Sequence, residues 1–507
     1  MAANIFTGIT SANWGTATNW SLGAVPTASD GNVATFDILS PNCTVDASNK
    51  VCNGINFTGY TNTIAFGIRT ITVSGNVTFG AAMLVTGTGT LAMNATGSLT
   101  TNTYTWPIVF QFMGTSQTYT LQDDFNISGA LGLNGTTNVT VNNNGTAKTI
   151  YAGQNVTSST AGSLGTALIV MNGTGLLSNT GTIRNSLEIN TAGTITFGLN
   201  VRVTNFKYTA GTIDDTTFSA IIFVGFAAAT SNLDIGSREW INVNFVGSTT
   251  ITLISDVTTT GLMTCAGNCV INGAFSLNVK GSFTAGGGGT LTGTVTALNF
   301  VGAAPIWATG SGSVRVNTNI NSTGTFTATG TNGFGTGILK WIAGTVDASA
   351  GTLTFLTSTT LDLNGASAVW GNCLMITTNT TVTLNSAWHL TNIVVGTCTF
   401  TGNFGFTIAN FSCTIVGRTI NFKSTNTYNI TTSLVLTGSQ VSPILFKAVT
   451  SSSDAFVILS SGAACYVSFV NATDIDSSAG RVVHDVKGVL LRTTNWYITN
   501  PDAFPFF

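Results

Sequence analysis

Charge is what this sequence most lacks. Lys, Arg, Asp and Glu make up 7% of its 507 residues, against about 25% in an ordinary soluble domain. Glu occurs only at Glu188 and Glu239, and His only at His389 and His484. Helix surfaces are normally solubilised by Lys, Glu, Arg and Gln, which also favour the helix itself, so a mostly helical fold is excluded. A net charge of −2 offers no basic patch for nucleic acid and no polybasic membrane segment. The longest apolar run, Phe218 to Ala229, is about half a bilayer span and is interrupted by Ser219 and Gly225, so no membrane insertion is expected. The opening MAANIFTGIT has neither a charged n-region nor an apolar h-region, so no secretory signal is read; a protein working outside a cell would leave by another route, such as lysis.

Cysteine is sparse too. The eight Cys form no CxxC pair, and two His cannot complete a typical zinc site, so no metal and no cofactor are expected. They read as reduced, small buried hydrophobes. Cys43 and Cys52 are close enough for a bridge across a turn, and that pairing stays open.

What is present is Thr, Asn, Ser, 58 Gly and 31 Phe, with 43% hydrophobic residues. That is too much apolar surface for disorder. The polar residues favour strands and turns, which points to an ordered, nearly all-β chain.

Internal repetition organises the chain. A Thr-x-Thr-Leu strand recurs with its leucine at Leu121, Leu253 and Leu384, in steps of 132 and 131. Upstream, Trp106, Trp240 and Trp370 step by 134 and 130. The segments starting at Thr63, Thr194 and Thr325 step by 131 twice, and Lys207–Asp214 echoes Lys340–Asp347 at a step of 133. Three units of roughly 131 residues follow, at 54–185, 186–317 and 318–440, between a distinct N-terminal module at 1–53 and a closing module at 441–507.

Within a unit, short runs such as Thr70-Ile-Thr-Val-Ser74 alternate with Gly or Asn. Such runs fit a β-solenoid or tandem β-sandwiches. Sandwiches need more surface charge. A solenoid can clothe its outside in Thr, Ser and Asn while stacking Val, Ile, Leu and Phe inside. We therefore expect an elongated, parallel β-helix-like solenoid, with tandem sandwiches as the alternative. At about 20 residues per coil and about 4.8 Å between coils, it would make a rod on the order of 100 Å. The open ends of a solenoid are bare sheet edges that need covering. Trp14, Trp20, Pro26 and Pro41 gather at one end, and Arg481, Lys487, Arg492, Asp474, Asp476 and Asp485 at the other.

The opening Asn13-Trp-Gly-Thr-Ala-Thr-Asn-Trp20 through Val25-Pro26 to Asp30 resembles the start of structural proteins of tailed bacteriophages and of autotransporter-like β-helices. The tail, from Pro443-Ile-Leu-Phe through Asn471-Ala-Thr-Asp-Ile-Asp476 to Asn495-Trp496, is similar to a closing module of phage and bacterial β-solenoid surface proteins. The Gly/Thr-rich body between them looks like phage fibre sequence. The resemblance implies fold and setting, and brings no catalytic motif with it.

Enzymatic readings fare poorly. Glycoside hydrolysis needs two carboxylates held about 5–10 Å apart. Asp123 and Asp124, like Asp214 and Asp215, are neighbours that point to opposite strand faces. Glu188 and Glu239 are single. Asp474-Ile-Asp476 places two carboxylates on one strand face, which suits Ca²⁺ or, better, a turn or a salt bridge with Arg481. Neither His sits near a nucleophile motif such as GxSxG. Trp106, Trp240 and Trp370 read as core or corner residues, the rival being an aromatic platform for sugar rings.

The expected function is thus a non-enzymatic structural protein of a tailed-phage virion: an outward-facing fibre, tail or capsid-surface component. It would bind other virion proteins and host surface glycans and form homo-oligomers, trimers among them. Trp14 and Trp20 would be its attachment anchors. The alternatives are a cellular adhesin or extracellular filament subunit, and a polysaccharide-depolymerising tailspike.

Overall fold

Alternation of period two builds the molecule strand by strand. In Thr70–Val73, Ile71 and Val73 are fully buried while both threonines lie toward the outside. Thr63–Gly67 repeats the pattern with Ile64 and Phe66 inside. Strands this short cannot hold themselves; each is held by a copy of the pattern one coil later. In the computed structural model, described over residues 2–499 apart from 160–161, 199–200, 215–220, 225–230, 237, 248, 309–311, 364–368 and 376–379, the strand ladders are parallel and no α-helix occurs among the described residues. The one helical turn among the described residues is a 3₁₀ segment, Ala17–Asn19. The chain is an all-β parallel solenoid.

Two units form by their internal contacts, Met1–Gly236 and Ser237–Phe507. In the first, each coil runs through three strands. One coil is Thr105–Trp106, Val109–Phe112 and Thr118–Leu121; the next is Phe125–Ile127, Leu131–Leu133 and Val139–Asn143. Strand pairs across coils in parallel register, as with Ile71 on Leu91, Phe110 on Leu131 and Thr118 on Thr140. Eight strands from Ala3–Ile5 to Ser163–Leu164 stack into one face.

The second unit shows three ladders just as clearly. One runs from Glu239–Trp240 through Val257–Thr259, Leu277–Val279 and Leu298–Gly302 to Thr359–Asp362 and Thr380–Leu384. Another carries Thr249–Leu253 onto the later halves of Leu262–Asn272 and Ser282–Thr292, then Ser313–Val314, Gly330–Phe334 and the end of Ile338–Phe355. Leu253 and Leu384 therefore lie on different ladders, although the Thr-x-Thr-Leu repeat brings them into sequence register. A step of 131 residues spans six coils and one further face.

Between the coils, outward amides pair along the stack. Asn319 Nδ2 donates to Asn299 Oδ1 at 2.9 Å, and Asn299 Nδ2 to Asn278 Oδ1 at 2.8 Å. On another face, Asn410 donates to Asn392 at 2.8 Å and Asn392 to Asn372 at 2.9 Å. Each amide is donor and acceptor in one row, which is why Asn serves where a charge would repel its own copy. At the corners, backbone approaches backbone. A Cβ on Gly293 (φ +131°) would stand 1.9 Å from the Ile271 carbonyl oxygen, and one on Gly165 (φ +126°) 2.0 Å from that of Val141. Only glycine fits there.

Candidate functional site

The expected anchors are not at the surface. Trp14 is 0% exposed and Trp20 2%. Their rings meet at 4.9 Å between centroids, and both pack on Phe36, which stacks on Phe57 at 5.0 Å. Trp20 Nε1 donates to the Trp14 carbonyl at 2.7 Å. Buried Asn19 ties the loop above them: its Oδ1 accepts the N–H groups of Thr10 and Ser11, each at 2.9 Å, and its Nδ2 donates to the Asn13 carbonyl at 2.7 Å. The cap fills itself, so the anchoring role assigned to Trp14 and Trp20 is withdrawn. A ring pair that plugs its own core has no face left for a partner.

The register residues are interior as well. Leu121 and Leu384 are 0% exposed and Leu253 1%, while Trp106 and Trp240 are fully buried. Trp370 enters the strand Val369–Met375 and pairs with Leu390, but its side chain lies outside the described residues. Cys43 and Cys52 are both free and buried.

The carboxylates are occupied by structure. Asp123 accepts from the N–H groups of Thr101 and Asn102, both at 2.7 Å. Asp124 accepts from Thr149 N–H at 2.9 Å and Asp256 from Ser276 N–H at 2.8 Å. These two, equivalent by the repeat, each pin the start of a strand one coil on. Glu188 pairs with Lys207 at 3.0 Å, and Glu239 pairs with Lys280. Asp214 ends the strand Phe206–Asp214, and Asp215 lies outside the described residues. Asp474 finds Arg492 rather than Arg481: Arg492 Nε and Nη2 donate to its two oxygens at 2.5 and 2.9 Å. That hydrogen-bonded guanidinium holds the Asp474 carboxyl below its ordinary range. Asp476 turns away to accept Ser478 N–H at 2.7 Å. His389 is exposed beside buried Trp388.

One surface feature stands out on the last three coils of the second unit. In Ala464–Ser468, Val483–Val486 and Trp496–Thr499, Val467, Val483 and Trp496 point inward. The alternate residues point out. Tyr466 is 67% exposed and Tyr497 57%, with His484 exposed between them. Val467 pairs with Asp485, which sets Tyr466 over His484, and His484 pairs directly with Tyr497. The His484 and Tyr497 rings stand 6.2 Å apart, tilted by 35°. Two residues further along each strand a second column runs through Thr437, Ser468, Val486 and Thr499. Thr499 Oγ1 lies 3.4 Å from His484 Nδ1. Tyr466, His484 and the second column line an open groove of about 600 Å³ whose described wall carries no Lys, Arg, Asp or Glu, and Tyr497 continues the aromatic column beside it. Burial raises the Cys465 thiol at the wall above its ordinary value, which keeps it from acting as a thiolate.

The sequence reading passed over this groove. Tyr466, His484 and Tyr497 are 18 and 13 residues apart, so no fixed period links them. Their one signal was that each sits next to a single inward apolar residue on its own strand, Val467, Val483 or Trp496. Comparison with known proteins adds nothing to the geometry: no family model, no curated protein and no solved structure matches this chain.

Proposed function

We propose that this chain is a non-enzymatic structural protein of a tailed-phage particle, displayed outward from the capsid or tail. The observation that carries the reading is how the chain spends its polar groups. Carboxylates are engaged in strand-start bonds and ion pairs, as at Asp123, Asp124 and Asp474, and amides in rows along the coils, as at Asn278, Asn299 and Asn319. Polar chemistry is thereby turned to holding coils together rather than to converging on a substrate. A nearly neutral, hydroxyl-rich exterior over a stacked core suits a part that must persist in solution and touch other surfaces selectively. The resemblance of both terminal segments to phage structural proteins supports the setting. Mass spectrometry of purified virions should find the intact chain, and electron microscopy with antibody labelling should place it on the outside. Recovery only from infected-cell lysate, or from a bacterial outer layer, would defeat the assignment.

A further inference from the structure

We infer that the groove on the last three coils binds a neutral carbohydrate chain, laid along the Tyr466, His484 and Tyr497 column. Tyrosine rings are normally largely buried, and here Tyr466 and Tyr497 stand exposed in one row with His484 on one outer face, with nothing of the described chain over them. The flat faces suit the C–H faces of sugar rings. The neighbouring column supplies what a sugar's hydroxyls need: Thr437, Ser468 and Thr499 each carry a group that both donates and accepts. Stacked coils repeat both columns at about 4.8 Å, so the site is linear rather than a single pocket, which favours a chain of sugars over a lone one.

The wall chemistry also says what the ligand is not. Among the described residues, no Lys, Arg, Asp or Glu lines the groove. The one carboxylate of these strands, Asp485, is turned to the interior, where its oxygens accept the Val470 N–H at 3.3 and 3.4 Å. Phosphates, sulfated glycans and strongly charged peptides would find no counter-charge on the described wall. The groove's volume falls within the range of small-ligand sites, and its openness to solvent suits an extended polymer.

The inference rests on the proposed surface display only for where such a glycan would be met. The two fail separately, since glycan binding is read on the purified chain and display on the particle.

The test is a printed array of neutral, sialylated and sulfated glycans, followed by isothermal titration of the full chain with the neutral hexasaccharide that binds best. We expect binding confined to neutral glycans with a Kd on the order of 0.1–1 mM. Tyr466→Ala and Tyr497→Ala should each weaken it by about tenfold, while Tyr466→Phe retains it. Should an alanine variant fail to fold, saturation-transfer NMR on the native chain replaces it, with the sugar C–H protons receiving saturation from tyrosine rings. No neutral glycan bound at about 1 mM, or unaltered binding in a folded Tyr466→Ala, Tyr497→Ala double variant, or no transfer from tyrosine rings, would overturn the inference.

Discussion

The first forty residues and the last seventy handle the same structural problem by opposite means. Near the N-terminus the chain turns back over its first coils with an aromatic plug: Phe6, Trp14, Trp20 and Phe36 are all buried, and one amide, Asn19, satisfies the loop around them. The closing module instead turns its corners with residues that resist turning. Ser452, Phe469, Asp474, Lys487, Arg492 and Asn495 all take positive φ, whereas from 117 to 424 every described positive-φ residue is glycine. A side chain in that conformation costs on the order of 1 kcal/mol. The closing module offsets it with bonds a glycine could not make. Ser452 N–H bonds to Asp474 at 3.1 Å, Asp474 pairs with Arg492 on the next coil, and Asn495 Nδ2 donates to the carbonyls of Ser477 and Gly480 at 3.0 and 3.1 Å. Apolar burial holds one end, and specific polar bonds hold the other. The first should be indifferent to pH and salt, the second sensitive to both.

Trp14→Ala breaks the comparison hardest. Emptying the plug should cost about 3–5 kcal/mol, read as a lower midpoint in guanidinium unfolding; a loss below about 1 kcal/mol would mean the cap is not held by its aromatic core. Between the ends, Leu253→Ala and Leu384→Ala should each cost about 2–5 kcal/mol, and equally, because both leucines are buried although they sit on different ladders. A large inequality would show that the faces differ in packing. Asp474→Ala removes a charge-assisted fork and should cost about 1–3 kcal/mol, with the loss shrinking in high salt. If Trp14→Ala proved equally salt-sensitive, the contrast between the ends would collapse.

Acid sharpens the contrast further, because the closing module holds two buried carboxyl groups whose affinities for the proton are displaced in opposite directions. Asp474 is depressed by Arg492, so its stabilisation is present above the ordinary carboxylate range and is lost as the pH falls through its folded value. Asp485 is raised to about 7, chiefly by burial. Its contribution is fully present below its unfolded value of about 4 and is lost as the pH rises toward 7. Thermal melts from pH 4 to 8 should therefore show Asp485→Asn gaining on the parent as pH rises; a constant difference across that range would refute the assignment. The smallest effect belongs to the amide rows. Asn299→Ala interrupts one row and should cost about 0.5–1.5 kcal/mol in a denaturant titration.

Much of this architecture was legible because it is local. Ile71 and Val73 between threonines declare a half-buried strand, and a chain made of such pieces with Gly between them has few folds open to it. The interior place of Leu121, Leu253 and Leu384 follows from the same alternation. What could not be read was direction at the ends. Trp14 and Trp20 announce an aromatic cluster, but a sequence does not say whether rings pack on their own chain or await another. The partner of Asp474 was equally hidden: Arg481 is nearer in sequence, yet the coil brings Arg492 beneath it. The groove escaped because coil lengths vary at this end, so Tyr466, His484 and Tyr497 line up in space without lining up by count.

The 131-residue step that ends one face on from where it began implies that the heritable module of this protein is the single strand and not the full coil. A copied segment amounting to six coils and one further strand moves each residue of the copy onto the next ladder, and the core accepts the move because Leu253 and Leu384 are buried alike on different ladders.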